Sequence, residues 1–147
     1  MTPFSARIRA EVLASFPEWS SRSFEERWQG SDPYFVVTVP APDAADTKLP
    51  LRLSTWDEEI TVDFDHYHTH FDRWRPKPGD SRHQSALVYV RDLLSERVAV
   101  ASWWQGDHCK MCAQLEPGAS LTPSLNVQYT RVRVRSWNGS HNAERDA

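Results

Sequence analysis

The sequence lacks the features that mark the common catalytic, secreted and membrane-bound classes of protein. It has only 5 glycines, which leaves little room for loops that cradle phosphate, and it contains no P-loop, no G-x-S-x-G, no H-E-x-x-H and no glycine-rich dinucleotide turn. No apolar run approaches the length of a membrane span, and residues 1–16 carry charges where a signal peptide has an apolar centre. We therefore expect a cytoplasmic protein without membrane association, and we favour a binding function over catalysis.

Cysteine is also scarce, and positive charges do not outnumber negative ones. Two cysteines do not make a disulfide scaffold in a chain of 147 residues whose hydrophobic fraction of 39% is sufficient for a core. The formal net charge of -3 gives no global electrostatic reason to expect nucleic-acid binding. Tryptophan, in contrast, is abundant, with 7 residues, and exposed tryptophan is a favoured anchor at protein interfaces.

The hydrophobic pattern predicts an α+β fold. Helical periodicity indicates an amphipathic helix over residues 4–16, and the strongest helix, about 82–95, follows a capping-box pattern formed by Ser81 and Gln84. A second capping-box pattern at Ser23 predicts a short helix to about Gln29. Predicted strands cover residues 34–39, 49–56, 97–105, 111–115 and 127–137, with a central strand that begins at residue 60.

These elements predict a mainly antiparallel sheet of five to six strands. The long helix then covers one face of the sheet, and the amino-terminal helix packs on it. We expect a single domain over residues 1–139, followed by a polar, disordered tail at 140–147.

The stretch from Ser54 to Trp74, STWDEEITVDFDHYHTHFDRW, organises the rest of the chain. Its first half alternates apolar Ile60, Val62 and Phe64 with polar residues, which is the pattern of a strand with one face on a core. If that strand continues without a bulge, three histidines follow Phe64 on the core-side face. These are His66, His68 and His70.

Two interpretations of the three histidines remain open. An H-x-H-x-H run on a strand brings imidazoles onto one side of the chain, as a zinc site requires, and Asp63, Asp65 or Asp72 supplies a further ligand or orients one. The chain is then a small metal-dependent enzyme of the hydrolase type with zinc as its cofactor. In the other interpretation the histidines are hydrogen-bonding side chains at the rim of a pocket, and no cofactor is needed. We favour the second because the ligand set is incomplete.

Cys109-Lys110-Met111-Cys112 is another candidate site. A C-x-x-C pair is a redox couple or half of a zinc site. A redox cysteine normally stands at a helix amino terminus, whereas the flanks here predict a β-turn, and no second C-x-x-C completes a zinc site. We favour ordinary thiols in a hairpin.

The last predicted strand carries a stripe of arginines. Alternation places Tyr129, Arg131, Arg133, Arg135 and Trp137 on one face and two valines on the other. Arginines framed by aromatic rings can bind phosphate or RNA. They can equally pair with Asp63 and Asp65 on a neighbouring strand, which we favour because the rest of the chain is acidic.

Two blocks, residues 59–71 (EITVDFDHYHTHF) and 135–139 (RSWNG), resemble short bacterial proteins regarded as immunity proteins of polymorphic toxin systems. The resemblance implies a protein that binds and blocks a cognate toxin, and it brings no catalytic residues. An acidic face rich in aromatic side chains suits steering towards a basic toxin. We expect the contacts to include Asp63, Asp65, Tyr67, His66, His68, His70, Trp74, Arg135 and Trp137.

Overall fold

The computed structural model describes all residues from Met1 to Ala147, and the chain divides into two compact units. The first unit comprises Met1–Pro40, Pro50–Asp63 and His68–Val90, and the second comprises Ala41–Leu49, Phe64–Tyr67 and Arg91–Ala147. The α+β fold is confirmed, but the strands form two antiparallel sheets, of five and four strands, in place of the single predicted sheet. The sequence predicted one domain over residues 1–139 and gave no indication of two compact units.

The amino-terminal helix α1 (Pro3–Ser15) begins and ends close to where the sequence predicted. The hydroxyl of Thr2 accepts a hydrogen bond from the amide of Ser5 at 3.1 Å, so one of the orphan donors of the first turn is satisfied. Ile8 and Val12 are buried and lie one turn apart, so they share the face that packs against the first sheet.

The predicted long helix is shorter than expected, because α2 covers only Ala86–Leu94. The amides of Ala86 and Leu87 donate to the carbonyls of Arg73 and Trp74 at 3.1 and 2.9 Å. Arg73 and Trp74 belong to the segment before the helix. Because their carbonyls satisfy the amides of the first turn, the helix does not need to begin earlier in the chain. The hydroxyl of Ser85 accepts from the amide of Val88 at 3.3 Å and caps the helix one residue before it begins. Neither helix is long and apolar enough to cross a membrane.

The first sheet is a meander of five strands in chain order. They are β1 (Ser23–Glu26), β2 (Tyr34–Val39), β3 (Leu51–Ser54), β4 (Ile60–Phe64) and β5 (Tyr67–Phe71). Val37, Leu53 and Val62 lie opposite one another across β2, β3 and β4 and are buried, so one face of the sheet faces a core.

Strand β1 stands where the sequence predicted a short helix. The hydroxyl of Ser23 donates to the carbonyl of Ser20 at 2.9 Å, so it closes the preceding 3₁₀ segment Pro17–Arg22 and does not cap a new helix. The following residues pair with β2, Phe24 with Val36 for example. Tertiary strand pairing therefore overrides a weak local helix signal.

The central strand ends earlier than predicted. Asp65 adopts a left-handed conformation with φ of 51°, and the chain reverses direction at Asp65 and His66. On β5 the side chain of Phe71 is buried, whereas His68 and His70 are exposed. The prediction of three histidines on the core side was wrong because the reversal changes which residues face the core.

The second sheet has the order β7–β6–β8–β9. Its strands are β6 (Ala99–Gln105), β7 (His108–Leu115), β8 (Arg131–Arg135) and β9 (Ala143–Asp146). Ala101, Trp103, Val132 and Val134 form the buried apolar face, against which Leu121 packs. The predicted strand over 127–137 is therefore shortened at both ends, but its valines do face a core.

Strand β9 lies in the segment for which the sequence predicted a disordered tail. It pairs with β8 over four positions, from Arg131 opposite Asp146 to Val134 opposite Ala143. The ladder is made by backbone groups, and most side chains of β9 are exposed and polar. Hydrophobic periodicity gives no signal for such a strand.

Candidate binding surfaces

The polar face of the first sheet holds a groove of about 550 Å³, which we call the tryptophan groove. Its lining consists of Glu26, Trp28, Tyr34, Arg52, Ser54, Trp56, Thr61, Asp63, His68 and His70. Strand register explains why these residues converge. Glu26 lies opposite Tyr34 on β1 and β2, and Arg52 lies opposite Asp63 on β3 and β4, so residues distant in sequence share one face.

Two tryptophans give this groove its apolar surface. Trp28 is 56% exposed and Trp56 is 48% exposed. Each follows a strand of the sheet, Trp28 after β1 and Trp56 after β3. Exposed indole rings of this size are available to pack against a partner.

The backbone around both tryptophans is held by hydrogen bonds. The carbonyl of Trp28 accepts from the amide of Ser31 at 2.8 Å, and the amide of Trp28 donates to the Ser31 hydroxyl at 3.0 Å. Next to Trp56, the buried hydroxyl of Thr55 accepts from the amide of Phe35 at 3.0 Å and contacts the Ser5 hydroxyl at 2.7 Å. The rings therefore project from fixed turns, which lowers the entropy lost on binding.

A charged network forms part of the groove lining. Glu26 accepts hydrogen bonds from the Tyr34 hydroxyl at 2.8 Å and from the Arg52 guanidinium at 2.6 Å. Burial raises the pKa of Tyr34, and the hydrogen bond to Glu26 and the charge of Glu26 raise it further. Tyr34 thus stays a neutral donor, and Arg52 and Glu26 compensate one another, so the lining is ordered before any partner arrives.

Asp63 and two histidines add titratable groups to the groove. Burial raises the pKa of Asp63, whereas the positive charges of Arg52 and of protonated His68 and His70 lower it. The rings of His68 and His70 meet edge to face with centroids 5.2 Å apart. Nδ1 of His70 lies 3.1 Å from the Thr61 hydroxyl. Within the groove, His70 thus contacts a hydroxyl group, and His68 contacts the ring of His70. The interpretation of the three histidines as residues at a pocket rim stays a prediction.

The structure brings no group of three His, Cys, Asp or Glu side chains into an arrangement that could hold a metal ion. His66 lies edge-on to Trp104, with ring centroids 4.8 Å apart. The zinc site at His66, His68 and His70 stays a prediction.

Metal analysis of untagged protein beside a His68→Ala variant tests that zinc site directly. If zinc is held by the three histidines, the wild-type protein carries an equivalent of zinc and the variant loses it, because three protein ligands are the usual minimum for zinc. Zinc that the variant retains at the wild-type level contradicts this ligand set, and circular dichroism checks that the variant is folded.

The polar face of the second sheet carries another cavity, of about 670 Å³, which includes the arginine stripe. Arg133 donates to Asp65 at 2.9 Å, and Arg135 donates to Asp46 at 2.9 Å. Arg131 lies 3.8 Å from Glu144. Each guanidinium therefore has a carboxylate neighbour, but Asp65 is the only one of the two predicted partners among them, and it lies in a turn and not on a strand. The other predicted partner, Asp63, lies opposite Arg52 in the first sheet.

The remaining expected contact residues occupy different environments. Trp74 is buried, with its ring edge-on to Phe16 at 6.3 Å, so it belongs to the core and we drop it from the contact surface. Asp65 is also buried. Tyr67 and Trp137 are half-buried, and the ring of Trp137 packs at 5.8 Å from that of Phe64.

Sequence reasoning missed several groove residues, above all the two tryptophans Trp28 and Trp56. The available signal was that each is a large aromatic side chain surrounded in the sequence by polar residues, which is unusual for a core position. Glu26 and Arg52 gave no signal, because their meeting depends on the pairing of β1, β2 and β3.

Comparison of the chain with protein-family models, curated proteins and solved structures gives no match. The resemblance to immunity proteins therefore depends on the two sequence blocks alone.

Proposed function

We propose that this chain is a non-enzymatic binding protein whose tryptophan groove receives a segment of a protein partner, and that the partner is a toxin that it neutralises. The observation that carries the proposal is the pair Trp28 and Trp56, both about half exposed although they line an ordered groove. Tryptophan is enriched among the residues that dominate binding energies at interfaces. Exposed to water without a partner, the same rings are a liability for solubility.

The charge around the groove favours a basic partner segment. Asp57, Glu58 and Glu59 directly follow Trp56 in the chain, and Glu26 and Asp63 line the groove itself. Arg52 offsets only part of this charge, since it is paired with Glu26. A lysine or arginine side chain gains from these carboxylates and from cation–π contact with an indole ring. This chemistry suits a toxin with a basic surface.

Replacing both tryptophans tests the proposal. The genes beside this one are expressed with it to identify a product whose toxicity it suppresses, and the affinity for that product is measured by calorimetry. We expect Trp28→Ala/Trp56→Ala to raise Kd by at least about 100-fold and to abolish protection, because a truncated hot-spot tryptophan typically costs about 2 kcal/mol or more.

Leu125→Ala is the matched control, because Leu125 is 64% exposed and does not line the groove. It should leave Kd and protection unchanged. A folded double variant that binds and protects like the wild type overturns the groove as the binding site. Failure of the wild type to protect against any neighbouring product overturns the toxin-neutralising function.

A further inference from the structure

The two cysteines of β7 lie on the same face of the strand because of a bulge. In a regular strand, residues three apart point to opposite faces. Here Cys112 lies opposite Ser102 and Cys109 lies opposite Trp104, while Lys110 has no partner on β6. The extra residue restores the alternation, so both thiols project on the side of Ser102 and Trp104.

The bulge also brings the two sulfur atoms together. Sγ of Cys109 and Sγ of Cys112 are 3.1 Å apart, and both cysteines are free thiols. A disulfide bond is about 2.05 Å long, so a closure of about 1 Å joins them. Strand β7 is at the edge of its sheet and is hydrogen-bonded only to β6, so a small shift of the bulged segment disturbs one ladder.

We propose that Cys109 and Cys112 are a redox-sensitive modification site, at which a small-molecule disulfide oxidises the two thiols to a reversible bond within β7. This goes beyond the binding function of the tryptophan groove and does not depend on it. Redox C-x-x-C pairs usually have their first cysteine at a helix amino terminus, whereas here a strand bulge brings the two thiols together.

The reaction takes place in two thiol–disulfide exchanges. The thiolate of Cys109 attacks one sulfur of the small disulfide, a mixed disulfide forms at Cys109, and the other half leaves as a thiolate that takes up a proton. The thiolate of Cys112 then attacks Sγ of Cys109, forms the bond within the strand and expels the second half as a thiol. Two protein thiols are oxidised, and one small disulfide is reduced to two thiols.

The surroundings of the two thiols determine which cysteine attacks the small disulfide first. Cys109 is exposed, whereas Cys112 is half-buried. Burial raises the pKa of the Cys112 thiol to about 12, with further contributions from its hydrogen bond to Cys109, from the charge of Cys109 and from the charge of Asp65. Cys109 therefore reacts first.

Trypsin provides a direct assay, because Lys110 lies between the two cysteines. The reduced full-length protein is incubated with oxidised glutathione, alkylated, unfolded without reductant and digested. Cleavage after Lys110 separates residues 98–110 from 111–131 in the reduced form, whereas the disulfide keeps the two peptides joined until dithiothreitol is added. We expect the joined peptides to exceed the glutathione adduct at least about tenfold, because the second exchange is intramolecular.

Two single variants test the order of attack. Cys112→Ser should stop at a stable glutathione adduct on Cys109, and Cys109→Ser should form an adduct at least about tenfold more slowly, because its remaining thiol is the protonated, half-buried one. A persistent adduct on wild-type Cys109 without joined peptides overturns the proposal. So does a bond between two copies of the chain, seen as a dimer on a non-reducing gel. Equal adduct rates in the two variants overturn the assignment of Cys109 as the first thiol.

Discussion

Replacing Asp65 with alanine is expected to lower the free energy of unfolding by about 3–5 kcal/mol, as removal of one partner from a buried ion pair does. The side chain of Asp65 is 0% exposed and that of Arg133 is 15% exposed, with 2.9 Å between Oδ1 and Nη2. Oδ1 of Asp65 also accepts from the Thr47 hydroxyl at 2.8 Å. The variant leaves the Arg133 charge without its carboxylate in a poorly hydrated site. Urea denaturation measures the change.

The loss of unfolding free energy in Asp65→Ala comes from the unpaired charge of Arg133, and not from the loss of a strong ion pair. Oδ2 of Asp65 and Nε of Arg133 are buried without a hydrogen-bond partner, so the pair itself is incompletely compensated. We therefore expect Asp65→Ala/Arg133→Met to recover most of the stability that Asp65→Ala loses. Strictly additive losses in the double variant contradict this account.

Glu144→Ala is the matched control for a carboxylate on the same polar face. Arg135, which lies 3.6 Å from Glu144, keeps Asp46 as its partner in this variant. The other partner of Glu144 is Arg131 at 3.8 Å, and these two side chains are 49% and 42% exposed. An exposed ion pair of this kind contributes about 0–1 kcal/mol. Equal destabilisation by Asp65→Ala and Glu144→Ala would mean that burial does not set the energy of these pairs.

The sequence predicted the strands better than it predicted their partners. Ile60, Val62 and Phe64 all face the core, because alternation in the sequence reports directly on the face of a strand. The alternation does not show where the strand ends and the chain reverses direction. The turn at Asp65 and His66 contains no glycine or asparagine, the residues that normally mark a two-residue hairpin, so the histidines were assigned to the wrong face.

Strand pairing explains most of what the sequence could not show about the candidate sites. Glu26 and Arg52 are in contact although 26 positions separate them, because β1 and β3 both flank β2. Nothing in the spacing of the two residues encodes that contact. The same holds for Cys109 and Cys112, whose separation of three predicts opposite faces until the bulge at Lys110 is known.

Gly139→Ala is expected to be the other strongly destabilising substitution, with a loss of at least about 3 kcal/mol from strained backbone and steric overlap together. The residue has a φ of 77°, and a Cβ atom there would lie 2.0 Å from the carbonyl oxygen of Ala44. That carbonyl cannot easily move away. It accepts from the Asn142 side chain at 3.3 Å, and the neighbouring carbonyl of Ala45 accepts from the same amide at 3.0 Å.

Gly118→Ala separates the two causes. Gly118 has a φ of 85°, and a Cβ atom there would have no neighbour within 4 Å. Its variant therefore bears only the cost of a left-handed alanine, about 1–2 kcal/mol. The difference between the two variants in urea denaturation measures the overlap with Ala44. If the variants lose the same free energy, residues 44 and 139 are not as close as the structure places them, and position 139 needs glycine only for its φ.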